Sequence, residues 1–392
     1  MIELEQAYES LAAWCRARDY AGHDPFDGLN SRVFQATLLK RSRVARLAWT
    51  QAFKRAPVSL RTPALVPAGR NAKGTALFAL AALSRFRATG GAAAEREARE
   101  LLDALLAARL EGGSKAAWGY NFDWQGRAFF APRGTPTIVP TAFAARALVE
   151  AHRAFGDEAY LGAARGACEF ILNDLNCSGE SANEVCFSYT PLDETRVFNA
   201  SLLAGETLAS VGARTGEEEL LRASVRAARY VVRRQHADGS WAYGAAGFQG
   251  WADNFHTAFI LTSLARISEA GGRAARAEFA ESLRRGYEFW RGSFFLADGW
   301  PKYYHDNPYP ADAHSSGAAV VALCELKDSM PGALALADRV INWTLRNLRD
   351  ARRGFFYYQR RRFYTIRTPY MRWTQAWMMY ALARRLEVSS KR

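Results

Sequence analysis

Two kinds of helical stretch alternate along the chain, told apart by how much of their circumference is apolar. Stretches that begin near Lys73, Pro140, Val197, Asn254, Ala313 and Met371 are rich in Ala, Leu, Val, Ile and aromatic residues on most sides. A helix of that kind needs neighbours on most sides. In the stretches 93–110, 158–172, 217–234, 274–290 and 332–348, apolar residues recur every third or fourth position and Arg and Glu occupy the rest. That spacing predicts helices with one buried stripe. The apolar stretches return about every 60 residues, and self-similarity at a fixed period marks a repeat architecture.

An inner ring of six parallel apolar helices wrapped by amphipathic ones satisfies both patterns. The sequence therefore predicts an all-α fold, one (α/α)6 toroid domain over residues 1–392. Five amphipathic stretches leave one outer place vacant, and the N-terminal helices within 1–56 complete the ring. The first is expected over 3–18, with Leu4, Ala7, Leu11 and Trp14 on one stripe, and the second over 31–55. Residues 57–71 are Pro-rich and read as irregular. The segments between an outer helix and the next inner one run to roughly 15–30 residues, a length that is unusual without a function. They emerge together at one end of the toroid. They are aromatic, but Gly, Pro and charges interrupt them too often for a substantial sheet.

Composition narrows the function. Hydrophobic residues make up 49% of the 392 positions, ample for a large core. Of 52 basic residues 7 are Lys, so Arg carries most of the net charge of +13. Guanidinium groups bind carboxylate or phosphate in a planar, bidentate way, which points to acidic substrates. No basic arm or nucleic-acid motif accompanies the charge, so nucleic acid is not an expected partner. Five cysteines without a C-x-x-C pair argue against a disulfide framework and a regular zinc site. The N-terminus lacks the apolar core of a signal peptide, and no apolar run is long enough to span a bilayer, so a cytoplasmic protein is expected. P-loop, dinucleotide-binding, zincin and nucleophile-elbow motifs are missing from the sequence. The expectation is an enzyme with no cofactor and no metal, or a binding protein.

The loops carry the resemblances. Gln235-His-Ala-Asp-Gly-Ser-Trp241 resembles the Q-x3-G-x-W repeat of triterpene cyclases, and the ring resembles the terpenoid cyclase/protein prenyltransferase toroid. The loops WGYNFDWQ (118–125), CFSYTP (186–191), DNFHT (253–257), PKYYH (301–305) and YMRW (370–373) resemble uncharacterised bacterial proteins associated with extracellular polysaccharide and lipopolysaccharide synthesis. This second resemblance covers most of the chain and implies a pathway, with glycans and polysaccharide-synthesis proteins as partners. Six-hairpin toroids also resemble glycoside hydrolases, polysaccharide lyases, glucuronyl C5-epimerases and N-acyl-glucosamine epimerases. The chain has neither the D-x-D-D acid nor the D-D-x-x-D metal motif that cyclase chemistry needs.

Candidate acid/base groups cluster where inner helices begin. Asp253 and His256 lie three residues apart and face the same way on a first helical turn. Asp312 and His314 open the next inner helix; His305 and Tyr304 precede it, and Asp123 sits in an earlier loop. A glycosidase needs two carboxyl groups, and Asp123, Asp253 and Asp312 offer them without singling out a pair. A uronate lyase or epimerase needs a His, Tyr or carboxylate base and a cation for the substrate acid; Tyr189, Tyr304, His256, His305, Arg367 and Arg372 fit. Trp118, Tyr120, Trp124, Trp251 and Tyr303 are expected to pack on sugar faces, with Asn199, Asn254, His314 and Tyr370 as polar partners. The reading is a carbohydrate-active enzyme acting on an acidic or lipid-linked glycan. An isoprenoid-binding or cyclase-like enzyme and a non-catalytic glycan-binding component are the alternatives.

Overall fold

The computed structural model describes residues 2–110, 115–179 and 181–390. Its helices are α1 Ile2–Arg16, α2 Arg32–Gln35, α3 Arg43–Arg55, α4 Ala72–Thr89, α5 Ala92–Ala107, α6 Ile138–Phe155 and α7 Glu158–Asn173. They continue as α8 Phe198–Thr215, α9 Glu218–Val232, α10 Asn254–Ala270, α11 Gly272–Ser293, α12 Ala313–Glu325, α13 Ala333–Leu348 and α14 Trp377–Ser390. Helices α4, α6, α8, α10, α12 and α14 form the inner ring, each packed on the next, and α14 closes back on α4. Helices α5, α7, α9, α11 and α13 each pack on the inner helix that precedes them, and α1 packs on α14. The fold is an (α/α)6 toroid.

Burial follows the two patterns. Helix α4 is buried without a break from Ala72 to Ser84, whereas α9 buries Leu220, Ala223, Ser224, Ala227, Ala228, Tyr230 and Val231 along one side. Each large apolar side chain buried this way contributes about 1.5–3 kcal/mol. Inner helices end on Gly90, Gly156 and Gly216 at φ 66, 70 and 75°. Glycine takes that left-handed cap without strain, so the chain turns at once into the outer helix. At the other end Asn71, Asp253 and Asp312 cap α4, α10 and α12 by accepting first-turn N–H groups, and the long connections gather there.

The segment expected as one helix over 31–55 is broken. A 3-10 turn Asp27–Asn30, α2, a second 3-10 turn Leu38–Arg41 and α3 follow one another. Ser31 and Ser42 each accept an N–H as N-cap, restarting the helix twice. Helix α3 packs on Asp27–Asn30 and on the strand Trp124–Gln125, and Phe53 shares a small core of its own with Ala64 and Val66. It thus covers the loop end of the toroid. The loops form short strand pairs, and the last two join in a four-stranded sheet of Lys302–Tyr304, Asn307–Asp312, Gln359–Arg360 and Thr365–Ile366.

At the far end of the bore alternating charges line a second cavity, of about 920 Å³. Arg146 and Arg266 share Glu206; Arg266 and Arg384 share Glu325; Arg384 and Arg87 share Glu387; and Arg87 reaches Glu150. These residues come from all six inner helices. Burial alone would raise the Glu325 carboxyl, but Arg266, Arg384 and Arg146 hold it down at about 2.

Candidate active site

Because the six inner helices repeat one orientation, equivalent positions on them face one place. The second residue of each inner stretch is Lys73 on α4, Val139 on α6, Asn199 on α8, Phe255 on α10, His314 on α12 and Arg372 in the π-helical turn Met371–Ala376 that leads into α14. All six line a single cavity of about 610 Å³ at the loop end. Phe259 extends the floor downward, and the loops and α3 raise walls of Tyr120, Trp124, Tyr189, Tyr243, Trp251, Tyr303 and Tyr304.

The closest pairing of a carboxylate with an imidazole on this cavity lies at the mouth of α10. Asp253 caps the helix through one carboxylate oxygen, which accepts the His256 N–H at 3.0 Å. Its other oxygen lies 2.7 Å from His256 Nδ1. The carboxylate is 3% exposed, so this bond holds the imidazole's orientation and leaves Nε2 for the cavity. Tyr243, stacked on Trp251 at 4.8 Å, flanks the same imidazole at 4.7 Å.

His314 sits across Phe255 from it. The Phe255 ring lies 4.0 Å from the His256 ring and 4.5 Å from that of His314. His314 is also stacked on Trp377 and meets the edge of Trp373. It is 1% exposed, and neither ring nitrogen has a hydrogen-bond partner among the described residues. Burial, then the positive charges of Lys73, Arg372, His256 and Lys54, push its pKa well below the ordinary histidine value. A neutral imidazole with two unused nitrogens on a cavity floor is a site prepared for a ligand. Asn199 Oδ1 is likewise buried and unpartnered on this floor.

Arg372 is tied to Asp24 by two bonds of 2.6 and 2.7 Å. Its guanidinium lies over Tyr120 and Trp373, so it is held in place more than it is available. Tyr120 and Tyr189 place their hydroxyls 3.4 Å apart, and burial, the largest effect on each, keeps both protonated. Among the described residues the cavity is lined by Lys54, Arg55, Lys73, Arg127, Arg361 and Arg372 against one carboxylate, Asp253. Even with Arg372 paired to Asp24, cations outnumber carboxylates on this lining.

Of the sequence candidates, Asp253, His256, Tyr304, Tyr120, Trp124, Tyr189, Asn199, Trp251, Tyr303, His314 and Arg372 meet on this cavity. The others lie off its wall. Asp312 is fully buried and enclosed by donors, the N–H groups of His314 and Ser315, Gln359 Nε2 and Trp373 Nε1; burial raises its pKa to about 6. Asp123 accepts the Arg133 N–H inside its own loop. Asn254 bridges the Lys302 carbonyl and Trp290. Trp118 is fully buried and donates to Leu105 O at the end of α5, just as Trp241 donates to Val231 O at the end of α9. Tyr370 is buried under Arg61. His305 packs near Phe289 and Phe294, and Arg367 lies over Tyr357 on the surface.

The Q-x3-G-x-W segment is a staple. Gln235 bonds Gly239 O and Ser282 O, Gly239 sits at φ 91°, and the Trp241 ring fills the space a side chain at Gly286 would need. Lys73, Phe255 and Trp373 are site residues that residue-type reasoning passed over. Aligning the second residue of each inner helix finds the first two.

No protein-family model matches the chain, and no curated protein does. Solved structures do. Cellobiose 2-epimerase from Bacillus thermoamylovorans B4167 superposes with a TM-score of 0.63 at 14% identity, over 81% of this chain and 88% of that one. A D-mannose isomerase matches with 0.61 at 11% identity, over 82% and 87%. An unsaturated glucuronyl hydrolase specific for heparin matches with 0.57 at 15% identity, over 81% and 86%. All are similar in fold to this chain. No helix among the described residues is long and apolar enough to cross a membrane, and no cluster of His, Cys, Asp and Glu there could hold a metal ion.

Proposed function

We propose that the protein is a carbohydrate enzyme that moves a proton on a sugar carbon next to a carbonyl or carboxyl group, an epimerase, isomerase or lyase. The observation that carries this reading is the pair of imidazoles on either side of Phe255, one oriented by Asp253 and one neutral with both nitrogens free. One takes the proton and the other returns it, the two roles that general acid–base catalysis assigns to side chains at a reacting carbon. A glycosidase of the two-carboxylate type lacks its second acid here, since Asp253 is the one carboxylate on the cavity among the described residues. An isoprenoid cyclase needs an apolar floor, and this one carries Lys73, His314, Asn199 and Arg372.

The substrate is an acidic or lipid-linked glycan of a bacterial polysaccharide pathway. Support comes from the cationic lining, the aromatic walls suited to sugar faces and the resemblance of the loops. Five unpaired cysteines suit a cytoplasmic setting.

The test is incubation in heavy water with uronate-containing oligosaccharides and with neutral reducing disaccharides, read by NMR and mass spectrometry. Deuterium at the carbon next to the carboxyl or carbonyl is the expected result, with an unsaturated end if the reaction is elimination. Shortened chains would establish hydrolysis instead. No change in any sugar would overturn the enzyme reading and leave a glycan-binding protein.

A further inference from the structure

The proton-transfer scheme leaves one reactive group on the floor unused. Lys73 is 3% exposed, and its Nζ lies over the rings of Phe143, Phe259 and Trp377 at 4.5, 5.2 and 5.3 Å. Of the other described lysines, Lys54 alone also lines the cavity; it is less buried than Lys73, and burial lowers its pKa only to about 8. Lys115 and Lys327 pair with Asp174 and Asp328, Lys40 and Lys302 donate to the Gln35 and His305 carbonyls, and Lys54 sits beside Phe26 on the cavity wall. Lys73 has no carboxylate or carbonyl partner among the described residues, and it shares the Phe259 and Trp377 rings with His314.

Three features disfavour its ammonium form. The side chain is buried, it stands at the positive end of α4, and the Arg372 guanidinium is close by. Burial first, and Arg372 second, push its pKa well below the ordinary lysine value. A desolvated amine next to another cation is a nucleophile toward carbonyl groups.

We propose that Lys73 binds the substrate covalently, as an imine with the aldehyde carbon of a ring-opened reducing-end sugar. This rests on the proton-transfer reading of the same cavity. The amine adds to the carbonyl carbon, the carbonyl oxygen leaves as water, and one proton from solvent makes the imine cationic. That cation accepts the electron pair released when an imidazole removes the proton from the adjacent carbon. The resulting enamine takes a proton back on the opposite face from the other imidazole, and water then frees the epimerised sugar and the amine. The reaction is redox-neutral. The substrate class is therefore an aldose with a free reducing end, which narrows the glycan proposed above to one whose anomeric carbon is not joined to lipid.

The test uses the full chain with glycolaldehyde, and separately cellobiose, in the presence of cyanoborohydride at pH 7, followed by peptide mapping. The expected result is one equivalent of reduced adduct at Lys73, at least tenfold above any other lysine. Lys73→Met, which fills the aromatic cage without an amine, should lose the adduct, and Lys73→Arg should lose both the adduct and solvent-deuterium exchange at least a hundredfold. An adduct centred on Lys54, adducts spread over Lys40, Lys302 and Lys327, or exchange in Lys73→Arg within twofold of the parent, would overturn the imine. Deuterium in the sugar without an adduct leaves proton transfer standing and removes the imine. An adduct at Lys73 with no deuterium in any sugar does the reverse.

Discussion

Glu206 offers a test of the toroid that needs no substrate. The side chain is 3% exposed and accepts two bonds from Arg146, at 2.8 and 2.7 Å, one from Ser263 at 2.6 Å and one from Arg266. Burial would raise its pKa, but these cations and the hydroxyl hold it below the usual carboxylate range. Glu206→Leu strands the Arg146 guanidinium in the bore, while Arg266 keeps Glu325. Removing one partner of a buried pair costs about 3–5 kcal/mol, because the remaining charge is left uncompensated. At about 2.1 cal/mol/K of unfolding entropy per residue, 392 residues give about 0.8 kcal/mol/K. The expected fall in Tm is therefore about 4–6 °C by scanning calorimetry at pH 7. Adding Arg146→Met to Glu206→Leu removes the stranded charge and should return at least half of the loss. If the single variant melts within 1 °C of the parent, or the two substitutions simply add, the ion pairs do not hold the inner helices as the geometry says.

Three further predictions follow from the other end of the toroid. Asp253→Asn keeps an N-cap acceptor for α10 but removes the charge beside His256; solvent-deuterium exchange into the sugar should fall about 10²–10⁴-fold with Tm nearly unchanged. Asp312 has a folded pKa near 6, above its unfolded value, so it stabilises most below about pH 4. That contribution, about 3 kcal/mol, is lost as pH rises through 6. Asp312→Asn, with Gln359 turning its unpartnered Oε1 to the new amide, should flatten Tm against pH between 4 and 6. Trp118→Phe leaves Leu105 O unpaired and a gap behind α5, so Tm should drop by about 1–4 °C; kcat and KM per folded molecule should stay within twofold, and a large rise in KM would return Trp118 to the site.

The helical register was legible because the two patterns place opposite demands on their surroundings. Five of the six inner helices begin within two residues of the positions where the apolar stretches open, and at Met371 a π-helical turn opens and leads into the sixth. The N-terminal segment was not, because the N-caps Ser31 and Ser42 restart the helix inside a stretch that reads as continuous. The site was half legible. Asp253 and Asp312 look alike in sequence, each an acid two or three residues before a histidine at a helix start. Asp312 is enclosed by Gln359 and Trp373, which lie 47 and 61 residues further on. Contacts of that separation cannot be read from local spacing. Lys73 escaped for a different reason: one Lys at the edge of an apolar run reads as the boundary of the helix.

The ring itself gives the floor a direction. Going round the inner helices, His314, Arg372 and Lys73 occupy consecutive places on α12, the turn before α14, and α4, while Val139, Asn199 and Phe255 occupy α6, α8 and α10. One half of the floor is basic and the other apolar or amide. Asp253 and His256 stand at the seam between them, beside the stacked pair Tyr243 and Trp251. On the proposed chemistry, a sugar whose carbonyl or carboxyl end lies over the basic half has its ring against the aromatic half, and the carbon between the two ends falls at the seam, beside His256. The six positions set the polarity of the floor, and the mouth of α10 adds the Asp253–His256 pair to it.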